Sequence, residues 1–363
     1  MSSSYTPPGR LGNTDLSMST DPRTHPKLKA VVDAYGMGGN NTQGVSDTRD
    51  LEVGKKMSEE METAIFGLYG AIDMSTPEDK NEGEVEETVE EIDGPDGNKI
   101  KLYIFKPKGV SGTLPGVVYI HGGGMTIGPT KNPVHDRWCK SIALQGNITI
   151  MPDFRNAWTK TQHNPFPTGL NDCCAAVQYI SSNRSSLGFS HFILQGESGG
   201  ANLCFATSIR ANREGWIKEI SGVYGYVPYI SGGYDWSRER KLKETPSQIE
   251  NEYYFLNPDN SAALAFYYSP GEGQLEDPLA WPYHASEQDL KGLPDHMVSV
   301  DELDCFRDEG IAYWKKLTKA GVNASCDINL GVMHGTALIF RNALPEVNRK
   351  QIEAIAAFAK RVA

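Results

Sequence analysis

Two glycine-rich segments carry the residue types needed to attack an acyl carbonyl. The first is the His-Gly-Gly-Gly run at 121–124, and the second is Gly-Glu-Ser-Gly-Gly at 196–200, which contains Ser198. A glycine-rich loop lets backbone N–H groups approach a developing oxyanion, which larger side chains would obstruct. A serine flanked by glycines can occupy the strained strand-to-helix turn that exposes its hydroxyl. Together and in this order, the two segments predict acyl-transfer chemistry at Ser198.

The serine requires a general base, because a free hydroxyl is a poor nucleophile at neutral pH. Three histidines follow it in the chain: His284, His296 and His334. Ordinary structural roles are sufficient for His284 and His296, whereas His334 directly follows a predicted strand, in a loop that can bring its imidazole to the serine. We therefore predict His334 as the base, with activity falling on acidification because a protonated imidazole cannot accept a proton.

The acid that orients this histidine should lie between serine and histidine in the chain, at the carboxyl end of another strand. The segment 298–310 offers five carboxylates, which are Asp301, Glu302, Asp304, Asp308 and Glu309. The first two belong to the predicted strand end, and the last two to the first turn of the next helix, where they favour the helix dipole and can pair with the neighbouring arginine. Asp304 lies between strand and helix and is the predicted acid.

The elements that must position these residues alternate along the chain from about residue 99 onward. Short β-rich runs are predicted as strands at Lys101 to Phe105, Gly116 to Ile120, Ile148 to Asp153, Phe192 to Gln195, Gly222 to Val227, Met297 to Val300 and Cys326 to Leu330. Amphipathic segments are predicted as helices at about Val134 to Leu144, Gly169 to Asn183, Gly199 to Asn212, Arg307 to Ala320 and Pro345 to Val362. This alternation predicts an α/β protein with a mostly parallel sheet flanked by helices.

Two regions interrupt the alternation and are predicted to form a helical cap. They are residues 1–80 and 228–275, which leaves 81–227 and 276–363 as the catalytic domain. The second region is rich in aromatic residues, most of them predicted to form its own core and a minority to line an apolar pocket. An antiparallel edge hairpin is predicted from Glu84 to Ile92, before the turn at Gly94 to Gly97.

The composition excludes several classes of function. A net charge of -11 in 363 residues leaves no basic surplus to neutralise the phosphates of a nucleic acid. The Ser- and Pro-rich start lacks the apolar core of a signal peptide, and no run approaches the ~20 apolar residues of a membrane span. We expect a cytoplasmic protein without membrane or nucleic-acid partners, whose six cysteines are free and mostly buried thiols.

With these residues assigned, the chain resembles the hormone-sensitive-lipase-like family of α/β-hydrolase carboxylesterases. The matching motifs are the loop at 121–124, Asp153-Phe154-Arg155 followed by Pro165-Phe166-Pro167 and Asp172, the serine turn at 196–200, the acid motif from Asp304 to Asp308, and His334-Gly335. The resemblance covers most of residues 99 to 362. It implies an α/β-hydrolase fold and hydrolysis of short- to medium-chain esters, with neither a metal nor an organic cofactor.

The resemblance also implies a role for each matched residue. Ser198 would be the nucleophile, His334 the base and later the acid, and Asp304 the group that holds the imidazole. Backbone N–H groups of Gly123, Gly124 and Gly199 would form the oxyanion hole. The roles of His121, Arg155 and Asp172 would be structural.

Several positions depart from the family pattern. Met125 stands where an aromatic residue is usual, and we predict that Met125 and Tyr229 line the substrate pocket. Glu197 replaces an aspartate before the serine, and Gly199 replaces an alanine after it. None of these departures removes a member of the predicted triad.

Other functions remain open at this point. An amidase, or a hydrolase of lactones or carbamates, would use the same triad on a different small molecule. A lipase acting at an oil-water interface would need a large apolar lid, of which the polar N-terminal segment gives no strong sign. A non-catalytic small-ligand receptor is the alternative from another class, since the same fold can retain a ligand without turning it over. A homo-oligomer is possible, and the sequence does not fix the number of subunits.

Overall fold

The computed structural model describes residues 6–362 of the chain. Eight strands form one sheet in the order β1-β2-β4-β3-β5-β6-β7-β8. The strands are β1 Val85–Asp93, β2 Lys99–Pro107, β3 Leu114–Ile120, β4 Ile148–Pro152, β5 Phe189–Glu197, β6 Gly222–Tyr226, β7 Asp295–Asp301 and β8 Ala324–Asn329. The β1–β2 and β2–β4 pairs are antiparallel, and the remaining pairs are parallel. The predicted α/β class and mostly parallel sheet are confirmed.

Burial along the strands explains their apolar sequences. All residues of β4 and β6 are buried, because helices cover both faces of the centre of the sheet. The edge strand β1 instead exposes most of its side chains, including its glutamates. Its pairing with β2 confirms the predicted hairpin. Charged residues on such an edge oppose pairing with another chain.

Helices flank the sheet and form the regions outside it. The α-helices within residues 6–362 are α1 Gly9–Gly12, α2 Pro26–Ala34, α3 Leu51–Ala71, α4 Pro133–Ala143, α5 Thr168–Ser182, α6 Arg184–Leu187, α7 Gly199–Glu214, α8 Arg238–Glu244, α9 Ser247–Glu250, α10 Pro258–Tyr268, α11 Glu287–Leu290, α12 Arg307–Lys319, α13 Thr336–Ile339 and α14 Pro345–Arg361. Short 3₁₀ segments occupy Pro77–Glu84, Ile217–Glu219, Gln274–Glu276 and Pro282–His284. Each predicted helix is present, with ends within a few residues of those expected.

The strand that carries the serine motif is longer than predicted. The apolar run suggested Phe192 to Gln195, whereas β5 extends from Phe189 to Glu197. Its ends are held by neighbours on both sides, because Phe189 pairs with Leu114 of β3 and Glu197 with Tyr226 of β6. The extension brings the end of β5 directly to the serine.

The two regions outside the alternating core contact one another. Helix α3 begins at the cap residue Asp50, whose carboxylate accepts hydrogen bonds from two backbone N–H groups of the first turn. It packs closely on α10, where a Cβ added at Gly54 would lie 2.8 Å from Cβ of Tyr267. The division into a cap at 1–80 and 228–275 and a catalytic domain stays a prediction, and the first five residues of that cap lie outside the described residues.

The structure also addresses the predictions about membrane spans and cysteines. No helix in the described part of the chain combines the length and apolarity needed to cross a membrane. Five of the six cysteines are buried, and none forms a disulfide within residues 6–362. The prediction of free and mostly buried thiols is therefore confirmed.

Candidate active site

Ser198 occupies a strained turn between β5 and α7. Its backbone has φ 55° and ψ -121°, which is rare for a residue with a side chain. The turn is held by β6 and its following loop, since the Ser198 N–H donates to the Tyr226 carbonyl at 2.9 Å and its carbonyl accepts from the Tyr229 N–H at 3.2 Å. A Cβ at Gly200 would lie 1.9 Å from the Ile120 carbonyl oxygen, so only glycine fits there. The glycine spacing around the serine therefore reflects close packing of three backbone segments.

The His-Gly-Gly-Gly run forms a loop against the serine turn. A Cβ on Gly122 would lie 3.3 Å from Cβ of Ser198, and one on Gly199 would lie 2.7 Å from the Gly124 backbone nitrogen. Within residues 6–362, the N–H groups of Gly123, Gly124 and Gly199 donate no hydrogen bond to the protein. Unpaired N–H groups beside a serine hydroxyl are the donors that an oxyanion requires.

His334 and Asp304 form a buried hydrogen-bonded pair. Nδ1 of His334 lies 2.7 Å from Oδ2 of Asp304, and the other carboxylate oxygen accepts the Phe306 N–H at 2.9 Å. Because the carboxylate oxygen is an acceptor, Nδ1 carries the proton and Nε2 is left as the acceptor. His334 and Ser198 border the same cavity. Within residues 6–362, the side-chain hydrogen bond of His334 is the one to Asp304 and none joins it to the Ser198 hydroxyl; catalytic contacts are often loose before substrate binds.

The other histidines considered from the sequence have structural partners. His284 Nε2 lies 2.8 Å from the Ser231 carbonyl oxygen, and His296 Nδ1 lies 2.7 Å from that of Pro294. Burial lowers the pKa of His296 to about 4, so its imidazole is neutral. Neither ring borders the cavity that contains Ser198.

The remaining carboxylates of the acid segment also have other partners. Asp301 accepts hydrogen bonds from the Tyr226 hydroxyl at 2.8 Å and the Asn329 amide at 3.0 Å. Glu302 accepts from the Gly331 N–H at 2.7 Å. Burial, reinforced by the charge of the neighbouring Asp304, raises the pKa of Asp301 to about 7.

The sequence predicted that Asp308 and Glu309 both interact with the helix dipole and pair with Arg307. Only Asp308 pairs with this arginine. Asp308 lies 3.0 Å from Nε of Arg307. Glu309 instead turns into the core, where it accepts the Ile230 N–H and the Tyr234 hydroxyl, each at 3.0 Å. Burial raises its pKa to about 8. Sequence reasoning missed this contact because the long loop after β6 supplies both donors.

A cavity of about 700 Å³ lies over the serine. Its walls come from both ends of the sequence and from the insertion between β6 and β7. Apolar side chains dominate the walls, including Met61, Ile65 and Leu68 of α3, Phe255 and Leu256 of the insertion, and Leu264 of α10. A volume of this size fits a small organic molecule.

The two predicted pocket residues have different positions. Tyr229 borders the cavity as expected, and its hydroxyl donates to the Ser261 carbonyl. Met125 does not border it in the described structure. The loop turns at Met125 with φ 59°, and the side chain is buried in the core that also contains Ile127 and Trp158. The turn that brings the glycine N–H groups to the serine therefore places Met125 away from the cavity.

Sequence reasoning assigned the helix at α3 to a cap shared with the insertion, but it did not predict that side chains of α3 line the cavity. It also missed the contacts of Glu197. Glu197 accepts hydrogen bonds from the Gly122 N–H at 2.7 Å and the Tyr119 hydroxyl at 3.0 Å. The sequence signal that could have indicated these contacts was Glu197 itself, which stands where the family usually has aspartate before the serine.

Across residues 6–362, no three histidine, cysteine or carboxylate side chains are grouped to hold a metal ion.

Known proteins resemble this chain over most of its length. A protein-family model described as "alpha/beta hydrolase fold" matches residues 117–338. A solved structure described as brefeldin A esterase, a bacterial homologue of human hormone-sensitive lipase, is 44% identical with a TM-score of 0.95. That match covers 99% of this chain and 99% of the esterase.

More distant relatives include both an enzyme and a receptor. The carboxylesterase NlhH of Mycobacterium tuberculosis is 28% identical over 242 residues, which are 65% of this chain and 70% of the relative. The gibberellin receptor GID1B of Arabidopsis thaliana is 23% identical over 231 residues, or 62% of this chain and 61% of the receptor. The brefeldin A esterase has the higher identity and the fuller coverage.

Proposed function

Because this chain belongs to the α/β-hydrolase family and is an esterase-type serine hydrolase, we propose that it hydrolyses short- to medium-chain carboxylic esters through an acyl intermediate on Ser198. The observation that carries this proposal is the buried Asp304–His334 pair, which borders the same cavity as the serine. A serine with a base oriented by a carboxylate is the arrangement that activates a hydroxyl at neutral pH.

The geometry of the site supports a role for each residue. Nε2 of His334 takes the hydroxyl proton as Ser198 attacks the ester carbonyl, and Asp304 stabilises the imidazolium that forms. The N–H groups of Gly123, Gly124 and Gly199 donate hydrogen bonds to the oxyanion, and these bonds form only as the transition state is reached. His334 then gives the proton to the leaving alcohol. Water attacks the acyl-serine with the same proton transfers and releases the carboxylic acid.

The walls of the cavity support a substrate of limited size. We propose that residues 1–80 and 228–275 act as a cap, since α3 and the loop around Phe255 line the cavity that contains Ser198. An acyl-length series of p-nitrophenyl esters, scored by kcat/KM, tests this proposal. The highest value is expected for a short to medium acyl chain, and preference for a long chain would contradict it. Brefeldin A belongs in the panel because of the 44% identical esterase.

The Ser198→Ala variant tests the nucleophile. Its kcat on a short p-nitrophenyl ester is expected to fall by about a thousandfold or more, because the oxyanion donors alone retain little activity. Ser181→Ala is a matched control, since Ser181 is buried on α5 and does not border the cavity. Both variants should unfold at the denaturant concentration of the parent protein. Substantial turnover by folded Ser198→Ala would overturn the assignment.

The alternatives require separate measurements. An amidase, lactonase or carbamate hydrolase would use the same triad, so a panel of these substrates at matched concentrations distinguishes them. The 23% identical receptor raises the possibility of binding without turnover. A fluorophosphonate probe distinguishes an enzyme from a non-catalytic receptor. If Ser198 is an activated nucleophile, the probe should label the parent protein and not Ser198→Ala. Absence of labelling in the parent protein would favour a receptor.

Location and assembly stay predictions. A cytoplasmic location and a homo-oligomer can be checked by cell fractionation and by light scattering of the purified protein.

A further inference from the structure

Glu197 connects the turn that carries Ser198 to the His-Gly-Gly-Gly loop at 121–124, which we call the oxyanion loop. It directly precedes Ser198 in the chain, and its Oε1 accepts the N–H of Gly122, which directly precedes Gly123 in the loop. The Tyr119 hydroxyl, from β3, donates to the same oxygen at 3.0 Å. One buried carboxyl group therefore fixes the spacing between the serine turn and the loop whose N–H groups would stabilise the oxyanion.

The surroundings of this carboxyl provide no positive charge. The titratable groups that face it are Tyr119 of β3, Tyr69 of α3, Cys139 and His135 of α4, and Cys204 of α7. Nε2 of His135 lies 4.0 Å from Oε1, but burial lowers the pKa of this histidine to about 4 and keeps it neutral. Burial raises the pKa of each of the tyrosine and cysteine groups, so they are neutral as well.

The second carboxyl oxygen makes the ionised form still less favourable. Oε2 is buried and has no hydrogen-bond partner within the described residues. An ionised carboxylate needs hydrogen bonds or a cation to replace the water it loses on burial. Consistent with this environment, burial raises the pKa of Glu197 to about 8.

We propose that Glu197, with its carboxyl protonated, is a positioning residue that holds the oxyanion loop in place. Ionisation of Glu197 at alkaline pH then lowers the rate of acyl transfer. The protonated carboxyl keeps its carbonyl oxygen as the acceptor for Gly122 and Tyr119 while adding no charge. An ionised carboxylate beside the loop opposes the negative charge that develops on the substrate oxygen. This inference rests on the proposed function, because it requires an oxyanion at this loop.

The pH dependence of kcat tests the proposal, with Glu197→Gln as the variant. The side-chain amide oxygen of glutamine can replace Oε1 as the acceptor for the same two donors, and glutamine cannot ionise. In the parent protein, kcat on a short ester should fall by about tenfold as pH rises from 7 through 8 to 10, with little change in KM, because the donors act in the transition state. In Glu197→Gln this alkaline fall should be absent, while the acid limb remains.

Glu309→Gln is a matched control. Glu309 is also a buried glutamate that accepts one backbone N–H and one tyrosine hydroxyl, and burial raises its pKa to about 8 as well. It has no contact with the oxyanion loop, so Glu309→Gln should keep the alkaline fall of kcat. If Glu309→Gln loses that fall, or if Glu197→Gln keeps it, the proposal is wrong.

A spectroscopic measurement remains decisive if Glu197→Gln does not fold. Infrared difference spectra of a protein that carries both Glu309→Gln and Asp301→Asn, which removes the two other buried carboxyls whose pKa is raised to about 7 or 8, should show a protonated carboxyl band that disappears as pH rises through about 8. Absence of a protonated carboxyl at neutral pH would overturn the proposal. Failure of the proposed function is distinguishable, because either the parent protein would not hydrolyse esters or Ser198→Ala would retain the activity. Failure of the present inference alone would leave Ser198→Ala inactive and the alkaline limb of Glu197→Gln unchanged.

Discussion

At the level of single residues, the acid of the proposed triad differs from its neighbours in the group that it contacts. Asp301 and Asp304 are both buried, three positions apart, at the end of β7. Only Asp304 reaches His334, while Asp301 is bound to Tyr226 and Asn329. This contact supports the proposal that Asp304 is the carboxylate that fixes the tautomer of His334.

This difference predicts unequal effects of two similar substitutions. Asp304→Asn should lower kcat about a thousandfold or more, because an amide can present its N–H to Nδ1 and favour the wrong imidazole tautomer. Asp301→Asn should lower kcat much less, since it does not touch the base. Steady-state kinetics on a short ester, with unfolding curves for both variants, provide the comparison. Equal losses in the two folded variants would argue against Asp304 as the orienting acid.

At the level of elements, the site depends on the approach of one loop to one turn. The loop after β3 and the turn between β5 and α7 are neighbours because β3 and β5 pair in parallel, so that both end at the same edge of the sheet. The packing is tight enough that Gly199 leaves no room for a side chain. Its ideal Cβ position lies 2.5 Å from the Met125 backbone nitrogen and 2.7 Å from that of Gly124.

We expect Gly199→Ala to displace the oxyanion loop even though alanine is the residue that this family commonly has here. The contact is with backbone, so the loop must move, and kcat should fall about tenfold or more with a smaller change in KM. Gly70→Ala on α3 is the control, because nothing lies within 4 Å of its added Cβ. Unchanged kinetics of Gly199→Ala would show that the loop accommodates the methyl group without losing its donors.

At the level of the whole molecule, an ion network joins three distant parts of the chain. Glu250 of α9 accepts hydrogen bonds from Arg307 of α12 at 2.8 Å and 2.9 Å, and it also binds Arg23 near the N-terminus. Burial alone would raise the pKa of Glu250, but Arg307 and Arg23 outweigh that effect and lower it. The network therefore ties the N-terminal region and the insertion to the helix that follows Asp304.

Removing Glu250 should destabilise the protein strongly. Glu250→Ala leaves two partly buried guanidinium groups with one carboxylate partner each, Asp21 for Arg23 and Asp308 for Arg307, and the free energy of unfolding should fall by about 2 kcal/mol. Glu287→Ala removes an exposed partner of Lys319 and should cost less than about 1 kcal/mol. Urea unfolding at neutral pH measures both values, and similar values would contradict a structural role for the network.

The pH dependence of this effect has a defined sign. A carboxyl whose pKa is lowered in the folded state stabilises the protein above its unfolded pKa, and that contribution is lost as pH falls through the folded pKa. The difference in unfolding free energy between the parent protein and Glu250→Ala should therefore decrease on acidification below about pH 4.5.

The sequence by itself determined the elements and the order of the chemical groups. Alternating apolar periodicity located the strands and helices, since local burial imposes a period of two or 3.6 on the chain. The glycines at 196–200 marked the serine turn because Ser198 adopts a positive φ and backbone segments approach the glycines too closely for a side chain. Residues adjacent in sequence to a strand end could be placed at one edge of the sheet without knowing any side-chain contact.

Only the tertiary structure decided which side chains meet across elements. It distinguished Asp304 from Asp301 by a hydrogen bond, turned Glu309 into the core, and placed Met125 away from the cavity while α3 supplied a wall. It also showed that Glu197 is bound to the oxyanion loop. These contacts join residues far apart in the chain, and their partners depend on packing directions that local periodicity does not encode.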